Sequence, residues 1–297
     1  MNYKVHYPYI TFIIHSPISI EDFFHTFHLS NLLKQNKDYT VNKRFVSSST
    51  ILLKGDHFSV KAFQENDQLY PPQYEDIDII YEDEFLLVVN KPPFLSVFPD
   101  NLSHTDSLAN RVSAYYQQCG YNIPVRYIHR LDYETTGLTL FCKCSFIQPL
   151  MDYQLSIKEI QRKYLAIVKG KLTGYKQHSI CQPIGRDRHH NQRMIVSSSG
   201  KRACTYYQCI ATNQDLSVVE CTLDTGRKHQ IRVHMSAIGH PLLGDCLYGE
   251  KSHLMNRQAL HAFQLIFTHP ITKEKMTLIC HPPVDMKNIM HSIDPIL

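Results

Sequence analysis

The chain has 297 residues, 43% hydrophobic and 20% charged, with 31 Lys and Arg against 27 Asp and Glu, for a formal net charge of +4. This describes an ordinary soluble globular protein with room for one large domain and a small one; the small surplus hints at a polyanionic partner without requiring one. Nine cysteines are scattered singly apart from Cys142 and Cys144, with no CxxC pair or zinc-type spacing, so reduced thiols of a cytoplasmic protein are expected. The nearest approach to a metal motif, His229 to His234, lacks the spacing and intervening acid of a zincin helix, and no metal is expected. Tyr9 to Ile14 is the best N-terminal apolar run. Pro8, His15 and Pro17 leave it too short for a signal peptide or a membrane span.

Residues 1–72 are predicted to form a small α+β unit. Ser19 with Asp22 three positions later has the chemistry of a helix start, and Phe23, Phe24 and Phe27 then supply an apolar face. Thr40 to Phe63 alternates like strands, with turn residues at Asn42-Lys43 and Gly55-Asp56. This order resembles an S4 RNA-binding domain. Seven Lys and Arg against six Asp and Glu leave the unit only +1, however, so a packing domain without nucleic-acid contact is the alternative. Tyr70 to Asp76 is the predicted linker because Pro71-Pro72 is stiff, and a second domain is expected over 73–297. Ile77 to Asn90 reads as two short strands around Glu82-Asp83-Glu84, ended by Lys91-Pro92-Pro93. Ser107 to Gln118 reads as an amphipathic helix closed by Gly120, with Arg111 a solvated charge.

The stretch IHRLDYETTGLTLFCK, Ile128 to Lys143, places Asp132 in a polar turn and then launches an apolar strand from Gly137. A carboxylate exposed by a turn and fixed by a rigid strand suits chemistry, although an isolated Asp there more often makes a turn hydrogen bond. Gln161 to Gly170 alternates as a half-buried strand carrying Tyr164. Gln182 to Ala203 is the most basic stretch, +4 from Arg186, Arg188, Arg193, Lys201 and Arg202 less Asp187, and is predicted to form two hairpin arms bending at Gly185 and Gly200. In Leu223 to Gly249, Gly226 turns the chain and Ile231, Met235 and Ile238 form the buried stripe of a short helix, with Arg232 flanking it. Gly239-His240-Pro241 and Gly244-Asp245 read as turn-formers. Ala259 to Pro283 is predicted to hold two strands around Pro270 to Lys275.

HRLDYETTGLTLF resembles the signature of the RluA family of pseudouridine synthases, and TGRKHQIRVHMSAIGHPLLGDCLYG resembles its second pattern. The likeness covers about residues 74–285. One departure is the loop after Lys91-Pro92, where Phe94 and Phe98 stand at positions usually glycine and histidine. The resemblance implies an α+β fold with a mixed, mainly antiparallel central sheet flanked by helices. It implies an enzyme that isomerises uridine in RNA without cofactor or metal, acting as a monomer. It carries Asp132 onto the essential aspartate, Arg232 onto the arginine paired with it by a two-point contact, and Tyr164 onto the aromatic ring under the target base. Arg130 corresponds to the arginine that fills the space of a flipped nucleotide. His129 and the basic residues of 186–202 are expected to face RNA. Ribosomal RNA of the large subunit is the favoured substrate, with transfer RNA the other.

The chemistry breaks the bond from C1′ to the uracil nitrogen and joins C5 to C1′, so no redox partner is needed. Asp132, ionised beside Arg232, either attacks C1′ or removes the 2′ proton to give a glycal; the residues do not choose. An aromatic face stacked on the everted base supplies roughly 1–3 kcal/mol, comparable with the cost of unstacking. Two rivals remain from sequence: an inactive RNA-binding protein of the same fold, and a carboxylate glycosidase, for which Glu134 is the only nearby second acid.

Overall fold

The computed structural model describes residues 2–29, 39–65, 70–99 and 105–296. Lys34, Lys37, Asp38 and Asp67, counted in the N-terminal charge, lie outside the described residues.

The N-terminal unit contains β1 (Asn2–His6), β2 (Tyr9–Ile13), β3 (Ile18–Ser19), α1 (Ile20–His25), β4 (Tyr39–Val41), β5 (Arg44–Phe45), β6 (Ile51–Leu52) and β7 (His57–Lys61). Ser19 caps α1 as its spacing predicts: the Oγ accepts the Asp22 N–H at 3.0 Å. Asn42 and Lys43 both take positive φ, as a two-residue hairpin turn between β4 and β5 requires. Five strands form an antiparallel sheet in the order β1-β2-β7-β4-β5. The helix, VN, GD turn and strand order is present, but a hairpin, β1–β2, precedes the helix and its β2 pairs directly with β7. One apolar cluster runs on into the rest of the chain. Phe146 packs on Phe27 at 4.6 Å and on Phe12 at 5.9 Å between ring centroids.

The larger unit contains β8 (Asp78–Glu82), β9 (Leu86–Lys91), α2 (Leu108–Gln118), β10 (Arg126–Tyr127), β11 (Thr136–Cys142), α3 (Gln148–Ser156), β12 (Gln161–Lys169) and β13 (Gln177–Ile180). It continues with β14 (Ile184–Arg186), β15 (Met194–Val196), β16 (Thr205–Thr212), β17 (Leu216–Leu223), α4 (Gln230–Ala237), β18 (Leu260–Thr268), β19 (Lys275–Ile279) and α5 (Val284–Ile293). The central sheet runs β13-β16-β17-β12-β18-β11-β9-β8, with β10 added on β11 and β19 on β18. Every pairing in it is antiparallel except β11 with β18, so the α+β, mainly antiparallel expectation holds. The strand expected to be half-buried, β12, is a central strand buried from Tyr164 to Val168, because β17 and β18 flank it on both edges. In the basic segment one hairpin forms, β14–β15. Gly185 lies within β14 rather than at a bend, and Gly200 is a close approach, where a side chain would overlap the Ile184 backbone.

The cysteines differ from expectation. Seven are free, but Cys181 and Cys204 are joined. Ile180 pairs with Thr205 in the β13–β16 ladder, so the next rung brings these two residues face to face. A separation of 23 residues gave no hint of it. No described helix is long and apolar enough to cross a membrane.

Two buried histidines lock β11 to its surroundings. His129 Nε2 accepts the Leu140 N–H at 3.3 Å, while His261 bridges the Thr136 hydroxyl at 2.8 Å and the Cys280 carbonyl at 2.9 Å. Burial pulls His129 down to about 3 and His261 to about 4, so both are neutral when folded. In the unfolded chain they take up protons below about 6.5, where the folded protein does not. Stability is therefore expected to fall as pH drops from about 6.5 to 4, by up to about 1.4 kcal/mol per pH unit for each histidine. Urea unfolding across that range measures it; a flat profile would contradict the assignment. Gly137, at φ +111, has no room for a side chain against the Ala262 backbone, whose nitrogen would lie 2.7 Å away. Gly137→Ala is expected to cost about 3 kcal/mol or more in the same assay.

Candidate active site

Asp132 lies in the turn that feeds β11, where its carbonyl accepts the Thr135 N–H at 3.0 Å. Two buried cations pin that turn by its backbone. The Lys91 ammonium, wholly buried, donates to the carbonyls of Pro92, Leu95 and Tyr133 at 2.8, 2.7 and 3.1 Å. Burial lowers its pKa to about 7, with the nearby Asp132 charge acting in the other direction. Arg257 donates to the Glu134 carbonyl at 3.2 Å while its fork grips Asp285 at 2.9 and 3.0 Å, tying the turn to α5. Glu134 is also engaged through its carboxylate, which accepts the Gln258 N–H at 3.1 Å.

Arg232 comes from α4, which begins at His229 in the left-handed region with no side-chain cap. Its NH1 reaches Asp132 at 3.4 Å. The two-point contact expected with Asp132 is made with Asp245 instead, at 2.7 and 2.9 Å. Asp245 is fully buried and also accepts the Leu247 and Tyr248 N–H groups, so the residue read as a turn-former both caps its turn and aims the guanidinium. Burial would lower the Arg232 pKa, but the Asp245 hydrogen bonds and charge, then Asp132, outweigh it and raise it above its ordinary value. The Tyr248 ring lies 5.0 Å from the guanidinium carbon. Its hydroxyl accepts the Met194 N–H and meets His229 Nδ1, both at 2.8 Å. Burial brings His229 down to about 4, so it is a neutral ring beside the two charges.

Tyr164 is buried on β12, next to a register shift in the pairing with β18, a place where strands re-aim side chains. Burial raises its pKa, and the hydroxyl keeps its proton at neutral pH. Asp132, Tyr164, Arg162 and Arg232 line one lobe of a cleft, about 290 Å³. A second lobe of about 460 Å³ shares Arg130, Asp132, Lys228, His229 and Arg232, and adds Phe98, Tyr133 and Gln192. The structure thus brings the three residues expected to do the chemistry to one place.

The expected RNA contacts divide. Arg130 is exposed at the cleft, its guanidinium 5.2 Å from the Phe98 ring, which stacks on Tyr127 at 5.0 Å and 10°. His129 is buried, which corrects the expectation that it faces RNA: the imidazole is spent on the Leu140 amide. Arg186, Arg188, Lys201 and Arg202 are exposed outside the cleft, and Arg202 lies 3.8 Å from Asp224. Arg193 is half-buried over Tyr248 at 5.6 Å. Arg162, Arg227 and Lys228 line the cleft and were not singled out from sequence, although they adjoin Tyr164 and Gly226. Among the described residues no group of three or more His, Cys, Asp or Glu is arranged to hold a metal ion.

Removing one partner of a buried ion pair costs about 3–5 kcal/mol, whereas a part-exposed single contact is worth about 1 or less. Asp245→Asn is therefore expected to destabilise the protein by about 3 kcal/mol or more, and Asp132→Asn by less than about 1. Chemical denaturation of the two variants separates the roles, and equal losses would place the supporting fork on Asp132.

Residues 85–237 match the family model described as RNA pseudouridylate synthase. The chain is 42% identical over 251 residues to the uncharacterized RNA pseudouridine synthase YhcT of Bacillus subtilis (strain 168), covering 84% of this chain and 83% of that protein. It is 36% identical over 249 residues to ribosomal large subunit pseudouridine synthase D of Nitrosomonas europaea, covering 80% and 72%. The solved structure of human RNA pseudouridylate synthase domain containing 1 superposes with a TM-score of 0.60 at 25% identity, over 76% of this chain and 89% of that one. With this fold and these relatives, the chain belongs to the RluA family of RNA pseudouridine synthases, enzymes that isomerise uridine in RNA.

Proposed function

We propose that Asp132 is the essential carboxylate of this isomerase and that its substrate is an everted uridine of large-subunit ribosomal RNA. The observation that carries the first part is the single lobe lined by Asp132, Arg232 and Tyr164, with Arg232 held by Asp245 through Nε and NH2 so that NH1 is left for Asp132. The carboxylate attacks C1′ or takes the 2′ proton; in either route it later handles a proton at the base, and Arg232 keeps it charged and placed. Tyr164 offers its ring to the base, with its proton retained. Arg130, exposed on the cleft wall above Phe98, takes the space the uridine leaves. Support for the substrate is the name of the relative from Nitrosomonas europaea, which is a large-subunit enzyme. The exposed Arg186, Arg188, Lys201 and Arg202, with Arg193 and the S4-like N-terminal unit, are assigned to the RNA backbone farther out.

A glycosidase would need a free second carboxylate near Asp132. Glu134 lies in the same turn with one carboxylate oxygen held by the Gln258 amide, so free uracil as product is the outcome that would mark this reading.

RNA transcribed with tritium at C5 of uridine tests the proposal. Wild type is expected to release tritium, Asp132→Ala to lose that release by about 10³-fold or more, and Arg232→Lys, which keeps the charge without the fork, by about 10²-fold. Release that persists in Asp132→Ala would remove the aspartate from the chemistry, and free uracil would point to hydrolysis. Mapping pseudouridine in 23S ribosomal RNA with and without the enzyme decides the substrate.

A further inference from the structure

Phe94 holds a φ of +59, a region that L residues with bulky side chains avoid and that glycine, usual at this position in the family pattern, adopts freely. The strain is not offset by burial, since the residue is 43% exposed. Tyr133, the residue after Asp132, is 55% exposed. The two rings meet edge to face at 66°, with centroids 6.1 Å apart, beside the larger lobe, which Tyr133 lines. They stand on a rigid base: the Leu95 N–H donates to the Tyr133 carbonyl at 3.1 Å, and the buried Lys91 ammonium binds carbonyls of both loops. Strain and exposed apolar area kept together beside a reactive group call for a ligand.

Charge decides what kind. The same lobe is lined by Arg130, Lys228 and Arg232, and its acids are Asp132 and the already engaged Glu134. Aromatic faces rimmed by cations suit an unstacked nucleobase with its phosphates. We infer that Phe94 and Tyr133 form an aromatic platform that stacks on a base neighbouring the everted uridine, making them specificity-determining residues of this enzyme. The inference rests on the proposed reading of the cleft as the uridine site.

The test uses the full chain and a pool of ribosomal and transfer RNA transcripts carrying uridine tritiated at C5, with Kd from filter binding of the same transcripts, end-labelled. Phe94→Gly removes the ring and relieves the backbone together, Tyr133→Ala removes its partner, and Tyr133→Phe keeps the ring. Base stacking on an aromatic ring corresponds to a change of about fivefold or more in affinity. Phe94→Gly and Tyr133→Ala are each expected to raise Kd and KM by about that factor, with kcat/KM lost mainly through KM. Phe94→Gly should melt close to the wild-type temperature, and Tyr133→Phe should bind like wild type. Unchanged Kd and KM in both ring-less variants would overturn the platform, as would a marked loss of Tm in Phe94→Gly, which would make the ring packing. If wild type binds the transcripts but releases no tritium, the chemistry assigned to Asp132 fails, while the Kd comparison still decides the platform.

Discussion

The buried guanidinium of Arg232 is the constraint around which the site is assembled. A cation that deep in a protein is tolerable only if its charge and N–H groups are met, and Asp245 meets them with a two-point contact. Because the fork is satisfied elsewhere, Asp132 keeps a single longer contact of 3.4 Å and remains partly exposed in the cleft. A carboxylate locked by its own fork would be held in place but less free to meet a substrate atom. The acid that holds the guanidinium and the acid that faces the cleft are thus different residues.

The same division recurs one layer back. Lys91 and Arg257, both buried, spend their N–H groups on backbone carbonyls around Asp132 rather than on its carboxylate. His129 and His261, neutral through burial, tie the strand behind the turn to its neighbours. The turn is therefore rigid because its carbonyls are held from two directions, while the acid's own carboxylate keeps only the longer contact with Arg232. Rigidity of this kind allows a loop to carry chemistry without losing its geometry.

Around this centre the cleft changes character. The Tyr164 lobe is sunk between central strands, where burial fixes ring and proton alike. Outward, the walls become half-buried aromatics and an exposed cation, with Arg130 over Phe98 and Phe98 stacked on Tyr127. The β14–β15 hairpin meets the centre through Tyr248, which receives the Met194 amide and lies against Arg232.

Local patterns were legible in the chain because their causes are local. The Ser19 cap, the Asn42-Lys43 turn, the strand after Gly137 and the Ile231–Met235 stripe each depend on residues a few positions apart. By contrast α3 and α5 begin without a side-chain cap and escaped notice. The motifs also named Asp132, Tyr164 and Arg232, but not how they are held. Periodicity says which face of a helix an arginine occupies, not which acid waits across the fold. The Asp245 fork, the carbonyl grip of Lys91 on Tyr133, the reach of Arg257 to Glu134 and the Cys181–Cys204 bond all join residues brought together by sheet order. Only the tertiary structure decided these, because a buried charge or thiol takes the partner that packing delivers, and packing is a property of the whole chain.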